Sequence, residues 1–410
     1  MVDGPGFYTT RWDVNARYAL LVIACVVGGS VASGCDSGSS GTHVAKIGVI
    51  APLDGGLVQF GQGIRNSVQL AVAKANERKA VAGWTFEVEA LDDSSDPAKG
   101  EAAARRLAAD KAVIGVVGTY NSGVVAKVAP ILAAAGIVMI SPGNTDPALT
   151  LGPNPATPSR PYANYFRMVP NDDSQAPFLA QQALVEEKPT KVAVVSQTKP
   201  VSKGLADGFT QAFTKGGGTV AFQRVVPNDT TDFVDVIKDL VPIQPTWFSF
   251  GGEYQAGAAF RKQASAAGLT APMMGGDGLK DDAYIAQAGK PSEGDLASTV
   301  GAPAASNPSA GPFLDAYAKA GYAEPPSDFG PYAYDAANVI LAAASKALAG
   351  AGAVTRTVRD EIVVAVQATN VAGASGTVAF DAYGDTTTKV LTLYRVTDGQ
   401  WKPLKTETVP

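Results

Sequence analysis

Residues 113–147 constrain the fold of this chain more than any other stretch. They contain two short apolar runs, residues 113–117 and 137–140, which are rich in β-branched side chains. Runs of this length and composition are typical of buried parallel strands. A helix-like segment, residues 123–135, joins them and ends at Gly136. The stretch therefore predicts a strand–helix–strand unit within a parallel sheet that is covered by helices.

A small polar loop follows each of these two predicted strands. The first loop contains Tyr120, Asn121 and Ser122, and the second contains Asn144 and Thr145. In sheets of this kind, ligands bind beyond the carboxyl ends of the strands. The two loops are therefore the predicted meeting point for a small polar molecule.

The order of strand, glycine-containing loop, helix and second strand occurs twice in the chain. Residues 46–51 (KIGVIA) begin the first copy, and residues 191–196 (KVAVVS) begin the second. The repeat predicts two similar α/β domains whose loops face each other, and pockets are preferred at such interfaces. The predicted domains are residues 45–170 with 301–380, and residues 171–300 with 381–410.

Other parts of the sequence give weaker structural signals. Glycines at positions 55, 56, 61 and 63 predict a loop, with a helix only from Ile64; no third glycine completes a dinucleotide fingerprint. From Leu296 onward the sequence is polar and proline-rich, and residues 312–320 and 332–348 are predicted helices. Residues 377–380 and 391–396 are predicted strands with a turn between them.

The N-terminal segment has the pattern of an export signal. Arginines precede an apolar run at residues 18–29, and small residues lead from it to Cys35. A secretory signal has this pattern, and the run is too short for a comfortable transmembrane span. The small residues resemble the bacterial lipobox, in which the cysteine is lipidated, although its usual leucine is replaced. We predict a lipoprotein signal peptide at residues 1–35 and a linker at residues 36–44; an ordinary signal peptide is the alternative.

Charge and composition argue against several classes of function. A net charge of −5, with 33 lysines and arginines in 410 residues, does not fit a nucleic-acid footprint. The one histidine, His43, and the two cysteines, Cys25 and Cys35, lie outside the predicted domains. The domains therefore lack a histidine–cysteine metal site and the commonest catalytic bases and nucleophiles. We expect no metal, no cofactor and no catalysis, with a carboxylate pair as the remaining enzymatic option.

Several stretches in fixed order resemble one protein family. The resemblance rests on KIGVIAPLDGGLVQFGQGI (residues 46–64), GIVMISPGNTDPALT (136–150) and GGEYQAGAAFRKQASAAGL (251–269), supported by LDDSSDP, YFRMVPND and MMGGDG. Each stretch alone is weak, but their order is similar to that of the leucine/isoleucine/valine-binding proteins of ABC importers. The resemblance implies two doubly wound parallel-sheet domains, hinged around a cleft, in the type I periplasmic-binding-protein fold.

The resemblance also implies which residues contact a ligand. In the family, hydroxyls and backbone N–H groups of the first domain hold the carboxylate of an amino acid. The corresponding positions are Ser122 and Thr145, with the backbone of Tyr120 and Gly143. An acidic residue of the second domain meets the ammonium group, and Asp277 corresponds to it. Loops at helix starts present free N–H donors to an anion, so this chemistry is also reasonable without the resemblance.

Three further positions correspond to the wall and lid of the family's pocket. Phe60 corresponds to an aromatic wall residue. Val201 and Glu253 fall where the family has aromatic lid residues, so this chain replaces an aromatic with an aliphatic side chain and another with a carboxylate. The particular amino acid therefore stays open.

The function that the resemblance implies is transport. The chain is expected to be a monomeric, lipid-anchored extracytoplasmic protein that binds an aliphatic amino acid of the branched-chain type and delivers it to a membrane permease. Proteins of the same architecture also bind amides, urea or aromatic acids, or act as sensors, and this is the alternative. An enzyme is the alternative from another class; turnover of a bound compound would distinguish it.

Overall fold

The computed structural model describes residues 42–154, 157–189 and 191–410. The predicted signal peptide and Cys35 lie outside these residues. The described chain is built on two sheets of mainly parallel strands, both covered by helices. We call the part built on the five-stranded sheet the first lobe and the part built on the seven-stranded sheet the second lobe.

The sheet of the first lobe consists of five parallel strands in the order β2-β1-β3-β4-β5. These strands are β1 (His43–Ala51), β2 (Trp84–Asp92), β3 (Val113–Gly118), β4 (Val138–Ser141) and β5 (Tyr165–Arg167). Every residue of β3 and β4 is buried, as is typical of strands covered on both faces. The predicted strand–helix–strand unit is confirmed, since β3 and β4 pair in parallel.

The second lobe has its strands in the order β14-β13-β10-β9-β8-β6-β7, and a separate hairpin pairs β11 with β12. The strands of this sheet are β6 (Val192–Gln197), β7 (Val220–Val226), β8 (Trp247–Gly251), β9 (Met273–Gly275), β10 (Leu296–Val300), β13 (Val390–Thr397) and β14 (Gln400–Thr408). The separate hairpin consists of β11 (Asn370–Gly373) and β12 (Gly376–Ala379). Strands β13 and β14 are antiparallel additions at one edge. The predicted class of two α/β doubly wound units is confirmed.

Helices connect the strands and cover both sheets. They are α1 (Val58–Glu77), α2 (Pro97–Ala109), α3 (Ser122–Ala134), α4 (Ala148–Leu151), α5 (Asp172–Gln182), α6 (Pro200–Lys215), α7 (Val234–Leu240), α8 (Tyr254–Ala266), α9 (Asp282–Ala288), α10 (Gly311–Ala320), α11 (Gly330–Ala347) and α12 (Arg356–Gln367). A π-helical turn (Ala183–Glu187) and 3₁₀ turns (Asp277–Leu279, Lys290–Ser292, Ala304–Ser306 and Pro308–Ala310) complete them. The chain passes from one lobe to the other after β5, after β10 and after β12.

The first long helix starts earlier than the sequence predicts. Helix α1 begins at Val58, whereas the glycines before Ile64 predict a loop, so that prediction is wrong. The reason is close packing of backbones. A Cβ atom at Gly61 would collide with the carbonyl oxygen of Pro52, and one at Gly63 with that of Pro326. Glycine is required there by contact, which outweighs its low helix propensity.

Sequence reasoning missed one strand near the start of the C-terminal third. Residues from Leu296 form the buried strand β10, which looks polar in sequence because Ser298 and Thr299 lie within it. In the structure the Ser298 hydroxyl donates a hydrogen bond of 3.0 Å to Gln175, which allows its burial. The strands predicted at residues 377–380 and 391–396 are confirmed as β12 and β13. Strand β12 pairs with β11, whereas β13 lies in the sheet of the second lobe.

Candidate ligand-binding site

A small cavity lies between the lobes, where the loops after β3, β4, β8 and β9 meet. Its volume is about 60 Å³. It is lined by Tyr120, Asn121, Ser122, Gly143 and Thr145 of the first lobe and by Asp172, Val201, Ser202, Leu205, Gly252, Glu253, Gly276, Asp277 and Gly278 of the second. Of the eight residues implied as ligand contacts, the cavity brings together all except Phe60.

The two loops of the first lobe are bound to each other at the amino end of α3. Ser122 is the first residue of this helix, and its hydroxyl accepts the backbone N–H of Thr145 (3.3 Å) and that of Asp146 (3.4 Å). The side-chain amide of Asn144 donates to the carbonyl oxygen of Tyr120 (2.7 Å). The first turn of a helix has N–H groups without intrahelical partners and the positive end of the helix dipole. This end of the cavity therefore suits an anion.

A buried arginine supports the same loops from behind. Arg167, at the end of β5, is fully buried and donates to the carbonyl oxygens of Asn144 (3.3 Å) and Asp146 (2.8 Å). Its guanidinium pairs with Asp385 at 2.5 Å, and this pairing raises the arginine's pKa against the effect of burial. Sequence reasoning missed Arg167; the only signal was one charged residue in an apolar strand. Its role is to position the loop and to place a positive charge behind it.

The opposite end of the cavity is acidic. Asp277 lies in the 3₁₀ turn after β9. The side chain of Gln175 donates to its Oδ1 atom at 3.1 Å and accepts its backbone N–H at 3.0 Å. Burial raises the pKa of the Asp277 carboxyl to about 6. A nearby cation would stabilise the charged form of a carboxylate in such a setting.

A second carboxylate lies beside Asp277, and sequence reasoning missed it. Asp172 is the first residue of α5 and is 5% exposed. Its Oδ2 atom is buried and has no hydrogen-bond partner within residues 42–154, 157–189 and 191–410. Burial, and then the charge of Asp277, raise the pKa of Asp172 well above its usual range, while a hydrogen bond to Thr145 opposes the shift. In the sequence, an aspartate at this position is sufficiently explained as an acidic residue in the first turn of a helix. The sequence therefore gives no separate signal that Asp172 lines the cavity.

Polar contacts between the lobes close the mouth of the cavity. The Glu253 carboxylate accepts hydrogen bonds from Asn121 of the first lobe (2.9 Å) and from Lys199 of its own lobe (2.7 Å). Next to it, the Tyr254 hydroxyl donates to the carbonyl oxygen of Gly56. A third contact, the ion pair of Lys280 with Asp328, measures 2.9 Å and also joins the lobes. The structure is therefore a closed form.

Phe60 lies behind the cavity rather than in its wall. Its ring stacks on that of Tyr120 with 4.8 Å between centroids, and Phe329 meets both rings edge-on, at 5.4 Å and 5.0 Å. Tyr120 lines the cavity, whereas Phe60 packs against Tyr120 and is not among the lining residues. The aliphatic surface of the cavity comes from Val201 and Leu205.

In the part of the chain that the structure describes, no group of three or more histidine, cysteine, aspartate or glutamate side chains could hold a metal ion. Within residues 42–154, 157–189 and 191–410, no helix is long and apolar enough to cross a membrane.

Two similar α/β lobes that close over a small polar cavity at their strand ends define a two-lobed binding protein. The chain belongs to the periplasmic binding protein family, whose sequence profile matches residues 44–400. Members of this family bind substrates and are not enzymes, so the chain is a binding protein. The family membership that the sequence motifs predict is confirmed.

Two of the relatives are named as Leu/Ile/Val-binding proteins. The chain is 30% identical over 357 residues to the Leu/Ile/Val-binding protein homolog 3 of Brucella melitensis, across 86% of this chain and 92% of the relative. It is equally similar, at 30% over 353 residues, to the Leu/Ile/Val-binding protein BraC3 of Rhizobium johnstonii, with coverage of 85% and 90%.

Solved structures show the same architecture. A leucine-binding protein from Thermotoga maritima matches with a TM-score of 0.78 and 26% identity, over 89% of this chain and 99% of that protein. A branched-chain amino acid binding protein of Streptococcus pneumoniae in complex with isoleucine matches with a TM-score of 0.77 and 24% identity, over 90% and 100%. Because its sequence identity is only 24%, the match to the Streptococcus pneumoniae protein shows a common fold and nothing more specific.

Proposed function

We propose that the chain is the solute-binding subunit of an ABC importer, which encloses an aliphatic α-amino acid between its lobes and delivers it to a membrane permease. The observation that carries this proposal is the opposition of two ends in one cavity. Helix-start N–H groups of the first lobe and the carboxyl group of Asp277 of the second line the same cavity. Asp172 also lines it, and its backbone N–H donates to the carbonyl oxygen of Thr145 at 2.9 Å. A zwitterion has one charge for each end. The names of the relatives make leucine, isoleucine and valine, the branched-chain type, the first ligands to test.

In the proposed complex, each lobe holds one end of the ligand. Ser122 and Thr145, with the backbone of Tyr120 and Gly143, hold the carboxylate from the first lobe. Asp277 holds the ammonium group from the second. A ligand bridging the lobes in this way stabilises the closed form, because only closure satisfies both charges.

The ammonium group has a second acceptor, Asp172, whose buried Oδ2 atom otherwise lacks a donor among the described residues. An ammonium has three donors, enough for both carboxyl groups. A simple carboxylic acid or an amide has no positive charge to offer there. The acidic end therefore favours an amino acid over the alternative ligand classes of this fold.

The proposal includes a location and an organisation of the chain. The pattern of an export signal ending at Cys35 supports a lipid anchor that holds a monomeric protein at the outer face of the cell membrane. The membership of each strand in one of two sheets supports the division into residues 45–170 with 301–380, and residues 171–300 with 381–410.

Calorimetry with three related compounds tests the two-ended clamp. We expect an amino acid to bind at least about tenfold more tightly than its deaminated acid and than its methyl ester, since each lacks one of the two charges. Asp277→Asn should weaken binding by at least about tenfold, whereas Asp235→Asn, on an exposed side chain of the same lobe, should not. If the deaminated acid binds as tightly as the amino acid, or if Asp277→Asn is neutral, the clamp is wrong.

A further inference from the structure

A second groove lies between the lobes, and it shares no lining residue with the amino acid cavity. Its volume is about 800 Å³, and pockets for drug-sized ligands measure ~300–1,000 Å³. We propose that this groove binds an organic cation with an apolar body, and that the bound cation raises the affinity for the amino acid. The inference goes beyond the proposed function, which does not require a second site.

Both lobes form the walls of this groove. The lining residues are Gln59, Phe60, Leu314 and 325–328 of the first lobe, 280–283, Tyr394 and Pro403 of the second, and 303–306 of the segment that connects the lobes after β10. The ion pair between Lys280 and Asp328, at 2.9 Å, joins the two sides. Because each lobe supplies part of the wall, the groove is complete only when the lobes are together.

The charged part of the groove is acidic. Among the described residues that line it, Asp281, Asp282 and Asp328 carry carboxylates and Lys280 carries an ammonium group. The Lys280 ammonium pairs with Asp328, which leaves two carboxylates outside that ion pair. The side chain of Asp281 accepts the backbone N–H of Ala283 at 2.7 Å, and Asp282 is exposed. The balance of charge in the groove therefore favours a cation.

The three carboxylates are close enough to affect one another. Burial raises the pKa of the Asp281 carboxyl, and the negative charges of Asp282 and Asp328 raise it further, whereas the backbone N–H of Ala283 and the charge of Lys280 lower it. A second cation among these carboxylates would reduce their mutual repulsion and favour their ionised forms. This electrostatic gain is the part of the binding energy that a neutral compound cannot obtain.

The remaining walls are mostly apolar. They consist of Phe60, Leu314 and Tyr394, with alanines at positions 283, 304 and 305 and prolines at positions 303, 325, 326 and 403. Alanine and proline lose no side-chain entropy when a ligand covers them. The Lys280 ammonium lies 4.9 Å from the centroid of the Tyr394 ring, so this groove already holds one cation against an aromatic face. These walls suit the apolar body of the ligand.

The position of the groove couples it to the amino acid cavity. A ligand that contacts both lobes binds the closed form in preference to the open form, and an amino acid enclosed between the lobes does the same. Two ligands that favour the same form raise each other's affinity, and each does so by the same factor. Phe60 of the groove also stacks on Tyr120 of the cavity, with 4.8 Å between centroids.

Calorimetry with benzylamine and leucine tests the second site. We expect benzylamine to bind at least about fivefold more tightly to protein saturated with leucine than to the free protein. Saturating benzylamine should tighten the binding of leucine by the same factor. Benzyl alcohol, which has the same ring and no charge, should bind at least about threefold more weakly than benzylamine.

Two variants locate the bound benzylamine. Asp282→Asn removes one carboxylate at an exposed position and should weaken benzylamine binding at least about threefold. Asp235→Asn, at an exposed aspartate of the same lobe outside the groove, should have no effect. Ala305→Trp, also at an exposed position, fills the groove and should prevent benzylamine binding without changing the affinity for leucine.

Benzylamine that competes with leucine occupies the amino acid cavity, and this result overturns the second site. Absence of benzylamine binding, equal binding of benzyl alcohol, or an affinity that both groove variants leave unchanged overturns it as well. Leucine that binds without any effect of benzylamine on its affinity overturns the coupling. If leucine, isoleucine and valine do not bind at all, the proposed function and the coupling fail together, whereas the two variants still test the cation site.

Discussion

Gln175 binds the backbone and the side chain of Asp277 at the same time. Its Nε2 atom donates to the Asp277 carboxylate at 3.1 Å, and its Oε1 atom accepts the Asp277 N–H at 3.0 Å. The Oε1 atom also accepts the hydroxyl of Ser298 at 3.0 Å, from a neighbouring strand. A fully buried residue on α5 thus fixes the carboxylate on a different element, and a binding group that is fixed in advance loses less entropy when its ligand arrives.

The first prediction removes this support. Gln175→Leu should weaken amino acid binding by about tenfold, because the Asp277 carboxylate loses its orientation. The pKa of Asp277 should also rise, since the hydrogen bond from Gln175 lowers it in the wild-type protein. Calorimetry and its pH dependence measure both effects. Gln211→Leu, at an exposed glutamine on α6, is the control, and an unchanged affinity and pH profile in Gln175→Leu would contradict the prediction.

The second prediction concerns pH. The carboxyl of Asp277 has its pKa raised to about 6, chiefly by burial, and only the ionised form attracts an ammonium group. Affinity should therefore decrease as the pH falls through 6. Well below 6 the loss approaches about tenfold per pH unit, because a bound proton must leave first.

Dissociation constants between pH 5 and pH 8 check this pH dependence. Binding near pH 6 should also release protons, so the calorimetric heat should depend on the ionisation enthalpy of the buffer. Asp277→Asn should remove the decrease that is centred near pH 6. An affinity that rises as the pH falls would refute the role of Asp277 as an ionised acceptor.

The parts of the site that were predictable from sequence follow from local patterns. Tyr120, Ser122 and Thr145 directly follow apolar runs of strand length, and strand ends in a parallel sheet meet at one edge. Asp277 lies between glycines after a short apolar run, but its assignment came from the resemblance to the family rather than from a local pattern. All four of these residues line the cavity.

The parts that were not predictable depend on long-range contacts. The sequence predicts Asp172 only as an acidic residue at the start of a helix. The packing of α5 against α6 is what places it beside Asp277. Arg167 is charged within an apolar strand, and its partner Asp385 is distant in sequence. Phe60 was expected in the pocket wall, but it packs against Tyr120 and is not among the residues that line the cavity. The hydrophobic periodicity of a strand (2 residues) or of a helix (3.6 residues) gives no information on contacts between residues that are distant in sequence.

The third prediction addresses the anchor. Cys35→Ala should prevent lipidation, because the thiol is the proposed attachment site after the small-residue run. The mutant should appear as unprocessed precursor or as soluble protein. Detergent-phase partitioning of cells that express each form is the measurement, with Cys25→Ala, in the apolar run of the signal, as the matched control. Equal partitioning of wild type and Cys35→Ala would exclude the lipid anchor.

The fourth prediction concerns stability of the second lobe away from the cavity. Asp295 is fully buried and accepts hydrogen bonds from Arg261 (3.1 Å), the Tyr284 hydroxyl (2.5 Å) and the backbone N–H of Met273 (2.7 Å). Asp295→Ala leaves the buried guanidinium unpaired and should reduce the free energy of unfolding by about 3–5 kcal/mol. Urea unfolding measures this loss. The exposed Asp239→Asn, which also removes one partner of an ion pair, should cost no more than about 1 kcal/mol.

The last prediction is that ligand binding closes the two lobes. The hydroxyl of Tyr254 bonds to Gly56 across the cleft, and Glu253 bonds to Asn121. These bonds exist only in the closed form, so a ligand that also bridges the lobes should shift the population toward it. Tyr254→Phe keeps the ring and removes one cross-cleft bond. Because a hydrogen bond typically contributes ~0.5–1.5 kcal/mol, the variant should bind its amino acid about two- to tenfold more weakly.

Small-angle X-ray scattering measures the closure directly. The radius of gyration of the wild-type protein should fall when the amino acid is added to saturation, since the open form is less compact. Tyr254→Phe should reach the same small radius at saturation but need more ligand, because its binding groups are intact and only the closed form is less favoured. Tyr322→Phe, which removes a hydroxyl outside the cleft, should behave as the wild type. A scattering curve that does not change under proven saturation would mean that the lobes do not close on the ligand.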